Sequence, residues 1–215
     1  CFIQIVNAFR SSGLDLQEWN DALRQNLQSR FILDFDRGLQ FEGLLTASIK
    51  LRIRYEPWIL GKGAAEKTGE TLCRGLKEVV AWSPDIILEC LMDFGEGWEP
   101  VYAIVLDCKY SAVIRDQHWN DTRKYLEIRS TRTLKQVVKQ LWLIYPGETD
   151  RIVSTDRAIE FQEDGPTCPK DEAVFFSMAV KPHPGQDKWE RDQNKKDVFG
   201  NFARGITNYI LRELI

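Results

Sequence analysis

The chain has 215 residues, 43% hydrophobic and 28% charged, with a formal net charge of −3. These values fit a soluble globular chain of one domain, or one domain with an appendage, large enough to bury a core without staples. They exclude a broadly basic nucleic-acid binder, so any contact with nucleic acid must come from a local patch.

Cysteines stand at 1, 73, 90, 108 and 168, and histidines at 118 and 183. The odd cysteine number and the lack of a Cys-x-x-Cys pair point to free thiols in a reducing, cytoplasmic compartment. Both histidines lie far in sequence from any cysteine, which argues against zinc. No apolar run approaches the roughly 18 residues that cross a membrane, and no secretory signal is visible. The chain begins with Cys1 rather than Met, so a fragment of a longer protein is expected.

Phe2 to Val6 reads as a short strand or docking segment. Asp15 then caps an expected helix whose apolar face carries Leu16, Trp19, Leu23, Leu27 and Phe31. A second helix is expected over 44–60, with Leu44, Ala47, Leu51, Tyr55 and Trp58 on one face and Pro57 kinking it after Glu56. Residues 61–69 read as a loop and 71–80 as containing a strand. Two branched apolar runs, 83–91 and 101–110, flank Gly95 and Gly97 and predict a β-hairpin over about 84–110.

The stretch 111–139 is locally basic, and helices are expected over 121–130 and 131–140. Strands are predicted at 141–145 and 173–180, a basic loop at 181–196, and a closing helix from Asp197 bearing Val198, Phe202, Ile206, Tyr209 and Leu214. The expected class is α/β, a mixed sheet flanked by helices. The expected division is an N-terminal helical segment, 1–43, and a main domain, 44–215.

The hairpin carries the chemistry. Asp85 opens its first strand, and Asp107 and Lys109 close the second. Both faces of 101–107 are apolar up to Asp107, the mark of a central strand. Hard cations such as Mg²⁺ take oxygen ligands, which Asp85, Asp107 and the main-chain carbonyl of Cys108 can supply. Lys109 shares a face with Asp107 and can orient water, act as a base or stabilise phosphate charge. Taken alone, Asp-x-Lys reads as a structural ion pair at a strand end. The preceding Pro84-Asp85 and the apolar runs favour the metal reading.

These residues resemble the PD-(D/E)XK nuclease superfamily, with Pro84-Asp85 matching the first half of its motif and Asp107-Cys108-Lys109 the second. The context is most similar to McrC-like restriction nuclease subunits, through Tyr55-Glu56-Pro57-Trp58, Ser83 to Leu88, Val105 to Tyr110, Asp121 to Tyr125 and Trp142 to Gly147. The resemblance spans about residues 45–147. It implies a restriction-endonuclease-like core and a DNA endonuclease using Mg²⁺ or Mn²⁺. It further implies a separate motor ATPase or GTPase in prokaryotic genome defence. Glu56 is then the helix carboxylate that assists the metal, with Glu66, Glu70 and Glu89 in reserve. Cys108 departs from the small residue usual between the Asp and the Lys.

Lys124 and Arg129, with Arg123 and Arg115, are the candidate phosphate contacts. His118 and Trp119 form a further loop candidate. Trp98 and Trp189 are candidates for base stacking, and Trp19, Trp58 and Trp142 for the core. Gly61-Lys62-Gly63 lacks the phosphate-loop pattern. The alternatives are a non-catalytic DNA-binding or assembly scaffold of the same fold, and a repair or RNA-processing nuclease.

Overall fold

Ile49, Leu51 and Ile53 alternate with Lys50, Arg52 and Arg54, and this period of two places 49–55 in a sheet. The computed structural model describes residues 1–17, 37–75, 80–156, 161–162, 165–166, 172–181 and 198–214. In chain order the elements are α1 (Phe2–Ser11), β1 (Asp15–Gln17), β2 (Gln40–Thr46), β3 (Ile49–Tyr55), α2 (Lys62–Thr68), β4 (Leu72–Arg74), β5 (Ile86–Asp93) and β6 (Trp98–Cys108). There follow α3 (Asp116–Arg123), a 3-10 turn (Lys124–Glu127), β7 (Ile128–Ser130), β8 (Val138–Pro146) and β9 (Arg151–Ser154). The short strands β10 (Phe161–Gln162) and β11 (Gly165–Pro166), then β12 (Val174–Val180) and α4 (Val198–Leu214), complete the described chain.

An 8-stranded mixed sheet runs β1-β2-β3-β5-β6-β8-β12-β9. β6–β8 and β8–β12 are parallel, and the other neighbours are antiparallel. The sheet is covered on both faces, which is why β5 and β6 read as nearly continuous apolar runs. One face carries Ile53, Leu88, Ile104, Trp142 and Phe176 and packs on α1 and α4 through Ile5, Phe9, Phe202 and Ile206. The other carries Ile87, Val105 and Leu141 beneath Ile59, Leu72, Tyr125 and Ile128. The α/β class and the central position of β6 agree with the sequence expectation. No helix among the described residues is long and apolar enough to cross a membrane.

Several elements differ from expectation. Residues 2–11 are helical, because Phe2, Ile5, Val6 and Phe9 recur at helical spacing and are buried. Residues 15–17 form β1, and the rest of the helix expected there lies outside the described residues. The helix expected over 44–60 is the β2–β3 hairpin, turning at Ala47 and Ser48. The i, i+4 reading of Leu44, Leu51 and Tyr55 competed with a cleaner alternation over 49–55, and burial follows the alternation. The domain boundary expected at 43 falls inside β2, and α1 shares one core with α4. Residues 62–68 form α2 instead of a loop. Residues 121–140 form the end of α3, the 3-10 turn, β7 and the start of β8 rather than two helices.

Trp142 anchors the α1–α4 side. It is fully buried, stacks on Phe176 with centroids 4.5 Å apart, and meets Phe202 edge-on at 4.8 Å. Its indole N–H donates to Gln140 Oε1 at 2.9 Å. Trp58, expected in the core, is 46% exposed beneath the Arg37 guanidinium. Trp142→Ala is expected to cost about 3–5 kcal/mol, read from urea unfolding followed by circular dichroism.

Candidate active site

β3 and β6 end, and β5 begins, at the same end of the sheet. Ile86 pairs with Tyr55 on one side and Leu106 on the other. Continuing those registers by one residue sets Glu56, Asp85 and Asp107 in a row across three strands. By residue parity Asp85 and Asp107 face the same side of the sheet as Ile87 and Val105, so their carboxyls lie next to each other. Asp85 Oδ2 also accepts the Cys108 N–H at 2.5 Å. Burial and then the adjacent Asp107 carboxyl raise Asp85 to about 6, against the opposing effects of the Cys108 N–H and Lys109.

Asp107 is buried at the penultimate position of β6. Its Oδ2 is ion-paired to Lys109 Nζ and accepts the Thr122 hydroxyl at 3.0 Å. Thr122 lies on α3, fully buried, and its hydroxyl also reaches the His118 carbonyl at 2.8 Å. Tyr125, one turn on, donates its hydroxyl to the Ser83 carbonyl at 3.2 Å, bracing the segment that leads into Asp85. Its phenol is pushed up by burial and then by Asp107 and Asp85. The chain returning from β6 therefore clamps both acidic segments. Thr122 and Tyr125 were given no role from sequence. The available signal was a β-branched polar residue inside the polar run Asn120 to Lys124, where only an inward-facing position needs it.

The donor set suits a hard divalent cation. In an extended residue the N–H and C=O point to the same side, so the Cys108 carbonyl is directed toward Asp85. Pro84 falls opposite Cys108 on the β5–β6 register and has no N–H to occupy that carbonyl. The Cys108 thiol is on the other face, against the α1–α4 core, and burial drives it up to about 12. Only the main chain of Cys108 can therefore serve as a ligand. Among the described residues, no group of three His, Cys, Asp and Glu side chains gathers around one point.

Glu56 is the member that differs. It ends a strand, not a helix, and has φ 40, a left-handed conformation that is costly for a side-chain-bearing residue. Its N–H donates to the Asp85 carbonyl at 2.8 Å, but its carboxylate is held by Arg37 Nε at 2.9 Å. It lines the same cleft as Asp85 without joining the carboxyl pair. Of the reserve carboxylates, Glu66 pairs with Lys62 and Glu70 with Arg54, each at 2.8 Å. Glu89 is fully buried on Arg54, Arg52 and Thr71.

Arg115, Arg123 and Lys124 are exposed on and beside α3. Arg123 lies over the Phe175 ring at 5.5 Å and Lys124 over Tyr125 at 5.0 Å. Arg129 is an internal brace, donating to the Leu134 carbonyl at 3.0 Å and reaching Glu127 at 3.5 Å. His118 Nδ1 accepts the Arg115 N–H at 3.1 Å, and Trp119 packs edge-on against Phe175. Trp98 lies under Lys50 at the far end of the hairpin. His183, Trp189 and Trp19 lie outside the described residues. No family model, curated protein or solved structure matches the chain.

Two predictions follow from this electrostatics. The folded chain holds the Asp85 proton more tightly than the unfolded chain. Its contribution is therefore intact below the ordinary value of 3.8 and lost as pH rises through about 6. Asp85→Asn removes that loss, so its melting temperature should exceed wild type at pH 7.5 and converge on it near pH 4; a constant offset across that range contradicts the assignment. Thr122→Val, which keeps shape and deletes the hydroxyl, should cost about 1–2 kcal/mol in urea unfolding, and Thr122→Ser should restore most of it.

Proposed function

We propose that the chain is a metal-dependent DNA endonuclease with a PD-(D/E)XK core that hydrolyses phosphodiester bonds by direct attack of water. The observation that carries this is the Asp85–Asp107 pair, set opposite each other by the β5–β6 register, with Lys109 ion-paired to Asp107 where these central strands meet the end of the sheet. A structural ion pair needs one carboxylate. A second, partly buried carboxylate set beside the first is a device for holding something cationic. The mixed sheet covered on both faces supports the restriction-endonuclease-like core.

Asp85, Asp107 and the Cys108 carbonyl are the residues that would hold Mg²⁺ or Mn²⁺. Such an ion supplies charge neutralisation on the phosphate and acidifies a bound water. Lys109 is placed to hold a phosphate oxygen or the attacking water. The Cys108 N–H and the Thr122 hydroxyl fix the carboxyl orientations. Arg115, Arg123 and Lys124 offer the backbone salt-dependent affinity. Glu56 contributes to the wall of the cleft.

The segments at 55–58, 121–125 and 142–147 support a more specific placement, as the nuclease part of a prokaryotic restriction or defence system served by a separate motor ATPase or GTPase. Cys1, Cys73, Cys90 and Cys108 are free thiols, which supports a cytoplasmic setting.

The test is cleavage of single- and double-stranded DNA with Mg²⁺ or Mn²⁺. Cleavage should depend on the metal, and Asp107→Ala or Lys109→Met should lower it at least a hundredfold. Absence of metal-dependent cleavage, or an Asp107→Ala variant as active as wild type, overturns the proposal. Metal-independent DNA binding without cleavage identifies the scaffold alternative, and cleavage confined to RNA identifies an RNA-processing nuclease.

A further inference from the structure

Lys109 is followed by Tyr110, whose side chain is fully exposed at 102%. No other large apolar side chain among the described residues is as uncovered; the next are Val80 at 74% and Val113 at 62%. Tyr110 makes no ring contact or hydrogen bond within the described fold, whereas Trp119, Tyr125 and Trp82 nearby are all packed. It stands on the rim of a cleft of about 480 Å³ that also takes in Tyr55, Ile86, Ile3, Glu56 and Asp85. That volume is within the range of about 300–1,000 Å³ seen for small-ligand sites. The cleft opens on the α1–α4 side of the sheet where β3 and β6 end and β5 begins, next to the candidate metal site.

A nucleotide whose phosphate sits at Asp107 and Lys109 must place a base within one nucleotide of Tyr110. The face of that base is apolar and aromatic, and an exposed phenol ring next to a phosphate site is the partner it fits. In a continuous duplex both faces of each base are covered by its neighbours, so the ring has no face to stack on unless the base is unstacked.

We propose that this cleft is a nucleobase subsite in which one unpaired base stacks on Tyr110, and that the site therefore selects single-stranded or frayed DNA over continuous duplex. The proposal rests on the nuclease reading and names its substrate class.

The test uses oligonucleotides carrying a single 2-aminopurine, supplied single-stranded or fully duplexed, with the full wild-type chain and Ca²⁺ in place of Mg²⁺. Binding should quench 2-aminopurine in the single strand at least twofold and leave the duplex base little changed. Tyr110→Ala should abolish the quenching and weaken single-strand binding roughly tenfold, and Tyr110→Trp should retain both. No quenching by wild type, quenching that survives Tyr110→Ala, or equal quenching inside duplex overturns the proposal. The two readings fail differently. Loss of the nuclease reading appears as no metal-dependent cleavage by wild type. Loss of this one appears as cleavage that persists with no preference for single strand and no effect of Tyr110→Ala.

Discussion

Two carboxyls facing each other across the β5–β6 pair set the terms for this end of the molecule. Two unit charges about 4 Å apart repel by roughly 4 kcal/mol at an effective dielectric near 20, comparable to much of a domain's net stability. The surrounding groups read as compensation. The Cys108 N–H lies against Asp85, and the Thr122 hydroxyl and Lys109 ammonium lie against Asp107. Tyr125 ties the strand leading to Asp85 onto the same turn that carries Thr122. Even with these contacts Asp85 remains raised, to about 6. Two carboxyls kept side by side and partly buried, with a single ammonium against them, are the basis of the metal-binding proposal.

A second cluster of charge on the same sheet face makes the contrast. Glu89 is two residues beyond Ile87 on β5 and fully buried, yet it is met by Arg54 at 3.2 Å, Arg52 at 3.5 Å and the Thr71 hydroxyl at 2.9 Å. Arg52 and Lys50 extend the set to Glu42. Every carboxylate there is paired with cations, so nothing is left to attract an ion. Burying these charges costs desolvation that the pairing offsets only in good geometry. Their role is to lock the register of β2, β3 and β5, and so to hold the row in which Asp85 stands.

The pair and its lysine were legible in the sequence because their signals are local. Apolar runs bounded by Gly and Pro define β5 and β6, and residue parity fixes which side chains share a face. Glu56 was misplaced for the opposite reason. Its segment carries apolar residues compatible with two periods, and only pairing with β5, a partner some 30 residues away in sequence, decides for the strand. Pro57 marked a break correctly, but the break is a strand end with a left-handed residue and not a helix kink. Thr122 and Tyr125 were beyond reach for a similar reason. Their partners, Asp107 and Ser83, are set by the crossover from β6 to β8. Trp58 and the 131–140 stretch show the same limit, since helical spacing cannot reveal which face a neighbouring element will cover.

The central claim is that Asp85 and Asp107 together hold a divalent cation, and Mn²⁺ binding followed by electron paramagnetic resonance tests it most directly, without substrate or turnover. Wild type should sequester Mn²⁺, Mg²⁺ should displace it, and Asp85→Asn and Asp107→Asn should each weaken the binding at least tenfold while remaining folded by circular dichroism. Binding that is absent in wild type, or unchanged in both variants, would contradict the account.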